Sequence, residues 1–180
     1  MQTTSLIQQA AVIKLLILDV DGVMTDGAII FQNGQEQIKA FHVQDGLGIQ
    51  LLQKAGITVA IITGKSSEML MARAQALGIQ HVYQKQTDKS NAYQTLLKTL
   101  NLAPTSVCYI GDDLPDLYGI KRSGLGIAVN NAQQIVKKHA DWVTNQDGGY
   151  GAVREVCNLL LQAHNKLEQI ETAYLTNGRW

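Results

Sequence analysis

Lys14-Leu15-Leu16-Ile17-Leu18-Asp19-Val20-Asp21-Gly22 is the stretch from which the rest of the chain can be read. An apolar run this short, closed by two acids and a glycine, reads as a strand at Lys14–Val20, buried on both faces and leaving directly into a loop. Strands of that kind belong to parallel sheets, so amphipathic helices should alternate with further apolar strands downstream.

They do. Asp45 reads as the cap of a helix that runs to Ala55 and stops at Gly56. Ile57–Thr63 is a second buried strand. Ser66 reads as the cap of a helix with Leu70, Ala74 and Leu77 on one face and Gly78 as its stop. A short strand at His81–Gln84 precedes a helix capped by Asp88 and bearing Tyr93, Leu96, Leu97 and Leu100. Ser106–Ile110 is a strand ending at Gly111, and a helix follows from about Asp113. Strands at Leu125–Val129 and Trp142–Thr144 enclose a short helix, and Val153, Val156, Leu160 and Ala163 mark another. One segment breaks the alternation. Ala28–Gln32 and Gln35–Phe41 flank Asn33-Gly34, a dipeptide suited to the positive-φ positions of a tight hairpin. The pattern predicts one α/β domain over residues 1–180: a three-layer, Rossmann-like parallel sheet flanked by helices, with a β-hairpin flap at about 28–41 and no large cap domain.

Composition narrows the partners. Of the 180 residues 46% are apolar and 17% charged, and 15 basic side chains balance 15 acidic ones. A neutral globular chain gives no reason to expect nucleic acid or an anionic membrane as partner. The first strand runs straight into Asp19 and Asp21, and no basic region precedes it, which predicts neither signal peptide nor membrane span and a cytoplasmic location. Cys108 and Cys157 sit in apolar segments and read as buried, reduced thiols.

Ligands of such sheets bind beyond the carboxyl ends of the strands. Asp19, Asp21, Thr63, Lys65, Asp112, Asp113 and Asp116 fall there, and Lys89 begins the helix after the short strand. A lone Asp after a strand is ordinarily a turn former or helix cap, Asp113 suits the cap of its own helix, and a lone lysine is ordinarily solvated. The set is harder to explain that way. Converging carboxylates raise one another's pKa unless a cation neutralises them, and hard oxygen ligands suit Mg²⁺. Both cysteines lie elsewhere, which argues against a thiolate zinc site.

Asp19-Val20-Asp21-Gly22, then Thr63-Gly64, then Lys89, then Gly111-Asp112-Asp113-Leu114-Pro115-Asp116 resemble, in that order, the haloacid dehalogenase superfamily of phosphotransferases. The resemblance implies that Asp19 attacks phosphorus to give an aspartyl-phosphate. Asp21 would protonate the leaving alcohol and then deprotonate water, while Thr63 and Lys89 hold the phosphoryl group. Mg²⁺ would sit on the Asp19 and Asp112 carboxylates and the Asp21 main-chain carbonyl, with Asp113 and Asp116 orienting Lys89 and the metal's waters. A longer match, at residues 19–27, 41–49, 73–79 and 148–155, is similar to the 3-deoxy-D-manno-octulosonate 8-phosphate phosphatase family of the capless branch. It implies a sugar-acid phosphate substrate, a homotetramer, a role in lipopolysaccharide synthesis, and substrate contacts from His42, Val43, Gln44, Asp45, Gly46, Lys65 and Arg73.

Two positions depart from that family. Lys65 stands where it usually has Arg, and Gln50 where it usually has a basic residue. Lys keeps the charge of Arg but not its planar two-donor fork. The nine-carbon analogue, 2-keto-3-deoxynononate 9-phosphate, is the competing substrate, and a phospho-signalling receiver module is the competing class. The flap carries Ile29, Ile30, Phe31, Ile38 and Phe41, more apolar surface than one face can bury, which predicts that further copies of the chain cover it. The segment after Lys166 reads as a tail whose Arg179 could reach a neighbour's site, or simply fray.

Overall fold

The strand read from Lys14–Val20 is the centre of the molecule. In the computed structural model, which describes residues 2–32 and 35–180, it forms β1 (Leu15–Leu18), and all four side chains are buried. The chain continues through the flap strands β2 (Ile30–Gln32) and β3 (Gln35–Ile38), helix α2 (Val43–Lys54), β4 (Thr58–Ile62), α3 (Glu68–Leu77), β5 (His81–Tyr83) and α4 (Lys89–Leu100). Then follow β6 (Val107–Gly111), α5 (Leu117–Arg122), β7 (Leu125–Ala128), α6 (Gln134–His139), β8 (Trp142–Val143), α7 (Ala152–Ala163) and α8 (Leu167–Asn177), with α1 (Gln2–Ala10) ahead of β1.

Six strands form one parallel sheet in the order β5-β4-β1-β6-β7-β8. The chain winds outward from β1 to β5, then returns to β6 on the other side of β1 and winds to β8. The order therefore reverses between β1 and β6, and the loops that leave their carboxyl ends part and open a crevice there. Helices flank the sheet, α1 and α2 packing with α7, and α4 and α6 with α5. The flap pairs β2 with β3 antiparallel, apart from the main sheet; its expected turn at Asn33-Gly34 lies outside the described residues. Cys108 and Cys157 are buried and unbridged. No described helix is long and apolar enough to cross a membrane.

Local readings differ from the structure at several points. Asp45 does not cap α2, which starts at Val43 with His42 at its cap; Asp45 is buried and accepts from the Arg154 main-chain N–H at 2.7 Å, so its carboxylate serves the first turn of α7. The α3 cap is Ser67, not Ser66, its hydroxyl accepting from Leu70 N–H. Asp113 opens a 3₁₀ turn at Leu114–Asp116 before α5 begins. Two helices were not anticipated. The short, polar α1 packs against α7, and the expected tail is α8, anchored by buried Ile170.

Candidate active site

Asp19 follows β1 by one residue and keeps its place through its N–H bond to the Ile110 carbonyl of β6. The chain then turns tightly, with Val23, Met24 and Thr25 N–H all donating to the Val20 carbonyl. Gly22 makes that turn at φ +93°, and a Cβ there would run into the Asp112 carboxylate, so the residue must be glycine for both conformational and steric reasons. The turn is buttressed from far along the chain. Gly149 N–H donates to the Val23 carbonyl, and Gly148 lies so close to the Gly22 carbonyl that no side chain fits between.

Lys89, at the start of α4, reaches under this loop. Its Nζ lies 2.7 Å from Asp19 Oδ1 and 2.7 Å from Asp116 Oδ1. Burial pulls the ammonium down, but Asp19 and Asp116 together push it up by more, so the group stays charged. Asp116 is only 1% exposed and fully engaged. Its Oδ1 accepts from Lys89 and the Tyr109 hydroxyl, and its Oδ2 from the Asp112 and Asp113 main-chain N–H groups. The Asp113 carboxylate accepts from Leu114 N–H and caps its own turn.

The donor set fits a hard divalent cation. Carboxylate oxygens of Asp19, Asp112 and Asp116 lie within 4.8 Å of one another, and Asp112 Oδ1 is buried without a partner among the described residues. Because hydrogen bonds already saturate Asp116, the oxygens available to an ion are those of Asp19 and Asp112. Burial first, then the Asp19 and Asp116 charges, push the Asp112 carboxyl up to about 8. Burial and Asp116 push Asp19 up to about 6, with Lys89 opposing. Both groups ordinarily titrate at 3.8. The ion-free folded protein therefore holds protons that the unfolded chain releases, and the stability they bring is lost as pH rises through about 6 and about 8. A bound cation replaces those protons. Mg²⁺ is accordingly expected to raise the melting temperature more at pH 8 than at pH 5; calorimetry showing equal shifts at the two pH values would contradict the site.

A cleft of about 380 Å³ brings together Asp19, Asp21, Thr63, Lys65, Lys89, Asp112, Asp113 and Asp116, with Gln86 and Thr87 also on its wall. Thr63 is buried, and Lys65 Nζ stands 3.9 Å from Asp21 Oδ2. A hollow of about 400 Å³ beside Gln53, Thr58 and His81 is slightly larger, but its lining holds no carboxylate and no ammonium, so size does not choose the site.

The other expected contacts group separately. Arg73 donates from Nη2 to the His42 carbonyl at 3.3 Å and lies against Phe41 and Gly46 at the start of α2. Val43 is exposed, and neither it nor His42, Gln44, Asp45, Gly46 or Arg73 lines the cleft. Trp180 docks on Lys54 of its own chain, near the amino edge of the sheet, so the tail here lies away from its own cleft. One residue was missed altogether. Lys39, which follows β3, ion-pairs with Asp21 Oδ1. Only its closeness to the flap hinted at this, since a lysine in a loop has no motif of its own.

Residues 76–155, which include Lys89, Asp112 and Asp116, match the haloacid dehalogenase-like hydrolase family. The 3-deoxy-D-manno-octulosonate 8-phosphate phosphatase of Yersinia pestis is 52% identical over 162 residues, 90% of this chain and 87% of that protein. The Escherichia coli K12 enzyme of the same name is 47% identical over 93% of this chain and 89% of its own. The Moraxella catarrhalis phosphatase, solved with a magnesium ion, a phosphate ion and a KDO molecule, superposes with a TM-score of 0.92 at 46% identity, covering 95% of this chain and 98% of that one. With the Asp19–Lys89–Asp116 arrangement at the sheet's switch point, that extent of likeness decides the matter: the chain belongs to the 3-deoxy-D-manno-octulosonate 8-phosphate phosphatase family of the haloacid dehalogenase superfamily.

Proposed function

We propose that the chain, acting as one domain over residues 1–180, hydrolyses 3-deoxy-D-manno-octulosonate 8-phosphate to the free sugar acid and phosphate. The observation that carries the reading is the Lys89 ammonium held 2.7 Å from Asp19, with an Asp112 oxygen nearby that has no partner among the described residues. A carboxylate attacks a phosphate dianion only where positive charge is supplied. Asp19 attacks phosphorus as the ester P–O bond breaks, and Asp21 gives its proton to the departing alcohol oxygen. Water then attacks the aspartyl-phosphate, its proton passes to Asp21, and the bond between phosphorus and Asp19 breaks. Lys89 and the Thr63 hydroxyl hold phosphoryl oxygens throughout, and Asp116 keeps Lys89 in place. Asp19, Asp112 and the Asp21 main-chain carbonyl would hold Mg²⁺, which when bound neutralises charge on the carboxylates and the phosphoryl group. Asp113 contributes by fixing the turn that presents Asp112 and Asp116.

The cytoplasm, service to lipopolysaccharide synthesis and a homotetramer complete the proposal. Ile29, Ile30, Phe31 and Ile38 stay exposed on the flap, Phe31 at 65%, which supports covering by further copies. Such an assembly is also how the His42–Gly46 and Arg73 group would come to face a substrate.

Phosphate release across sugar-acid phosphates tests the assignment, with the octulosonate ester expected as the best substrate and its nine-carbon analogue as the competitor. Lys65 supplies a further check. Its ammonium is the exposed cation of the cleft and a natural partner for the sugar acid's carboxylate. Lys65→Ala is expected to raise KM for the octulosonate ester roughly tenfold, the scale of one charged hydrogen bond, with little change on a small generic ester. Equal losses on both would put Lys65 at the phosphoryl group instead.

A further inference from the structure

Asp21 has two carboxylate oxygens, and the structure treats them differently. Oδ1 accepts from the Lys39 ammonium, whose side chain is 2% exposed. Oδ2 is turned towards Lys65, 45% exposed and a residue of the cleft wall, at 3.9 Å. A carboxylate on its own rotates almost freely between equivalent orientations. A charge-assisted hydrogen bond removed from water holds it much harder than the same contact in solvent. The solvated Lys65 offers no comparable hold. Lys39 is thus the group that decides which oxygen of Asp21 faces the cleft.

We infer that Lys39 is a positioning residue for proton transfer: by tying down Oδ1 it presents Oδ2 to the leaving oxygen. This rests on the proposed role of Asp21 as acid and base. In the first half-reaction the proton on Oδ2 passes to the ester oxygen as its bond to phosphorus breaks. In the second, Oδ2 takes the proton of the attacking water as phosphate leaves Asp19. Lys39 directly follows the return strand of the flap, on the stretch between β3 and α2.

The leaving group reveals the difference between aiming a proton and binding phosphate. A simple alkyl phosphate needs a proton as its alkoxide departs, whereas p-nitrophenyl phosphate releases a stable phenolate unaided. The ratio kcat/KM reports the steps through alcohol release, so later hydrolysis does not blur the comparison. K39M and D21N are both expected to lose at least ~10-fold on the alkyl ester and at most ~3-fold on the nitrophenyl ester, and K39R to stay within ~3-fold of wild type on both. K39Q, uncharged but polar, takes the place of K39M if that variant melts early. Equal losses of K39M on the two esters would make Lys39 a phosphate ligand or a prop of the flap, and no loss would make it a bystander. Either result overturns the inference while a selective D21N loss leaves Asp21 in its role. A D21N variant indifferent to the leaving group would remove the role and the inference together.

Discussion

Asp19→Asn is expected to abolish phosphate release, to below about one-thousandth of wild type, without lowering the melting temperature; knockouts of enzymic nucleophiles act on at least this scale. The amide has the shape of the carboxylate but is not nucleophilic. The position itself is well supported, since Asp19 N–H bonds to Ile110 and the loop beyond it is tied to the Val20 carbonyl. An amide oxygen can still accept from Lys89, which also keeps Asp116. In ion-free buffer the substitution removes one of three crowded carboxylates. Burial and the Asp116 charge hold the Asp19 carboxyl up at about 6, so at pH 8 its ionised form opposes folding, and the variant should melt no lower than wild type. Parallel melting curves and phosphate-release assays check both halves. Turnover above a few per cent of wild type in a protein that melts normally would take the nucleophile's role from Asp19.

The sequence disclosed those parts of the site that depend on strand ends. An apolar run that stops at an acid puts that acid at the sheet's carboxyl edge whatever the loops do, and Asp19, Thr63 and Asp112 all lie there. Lys89 was legible because Asp88 caps the helix it opens. What stayed hidden depends on contacts between distant segments. Asp45 does cap a helix, but one whose donating N–H is 109 positions away. Gly148 and Gly149 stood out only as part of a family-like stretch, and their role in propping the nucleophile loop exists only once β8 and α7 are in place. Lys39 reaches Asp21 from 18 positions on because the flap folds back, and neither residue type nor spacing announces that. Helix α8 is polar enough to read as a tail and α1 carried no reading at all; both are held by packing rather than by their own propensity.

Lys89→Met is expected to damage both catalysis and stability, and pH separates the two effects. Methionine matches the length and packing of the stem, so what is lost is the charge. Lys89 is 5% exposed, and its ammonium bridges Asp19 and Asp116. Removing one partner from a buried ionic cluster costs about 3–5 kcal/mol when the remaining charges have no other relief. Here there is relief, because Asp19 can take up a proton. Its carboxyl already stands at about 6 with Lys89 opposing the rise, and without Lys89 it stands higher. At pH 5 Asp19 is largely neutral in either protein, so of its two partners the ammonium is missed by Asp116 alone and the loss is smaller. At pH 8 wild-type Asp19 is ionised against Lys89, while the variant must either bury that charge unpaired or hold a proton against the solvent. The gap in melting temperature between variant and wild type in ion-free buffer should therefore widen from pH 5 to pH 8. With Mg²⁺ present the carboxylates regain a counter-ion and the gap should narrow, but phosphate release should stay depressed by roughly 10²–10³-fold, the usual loss when one fixed donor to a developing charge is removed. A gap that does not change with pH would mean that Lys89 stabilises by packing alone. A variant that turns over normally in Mg²⁺ would mean that the ammonium never touches the phosphoryl group and serves only to hold the carboxylates apart until the metal arrives.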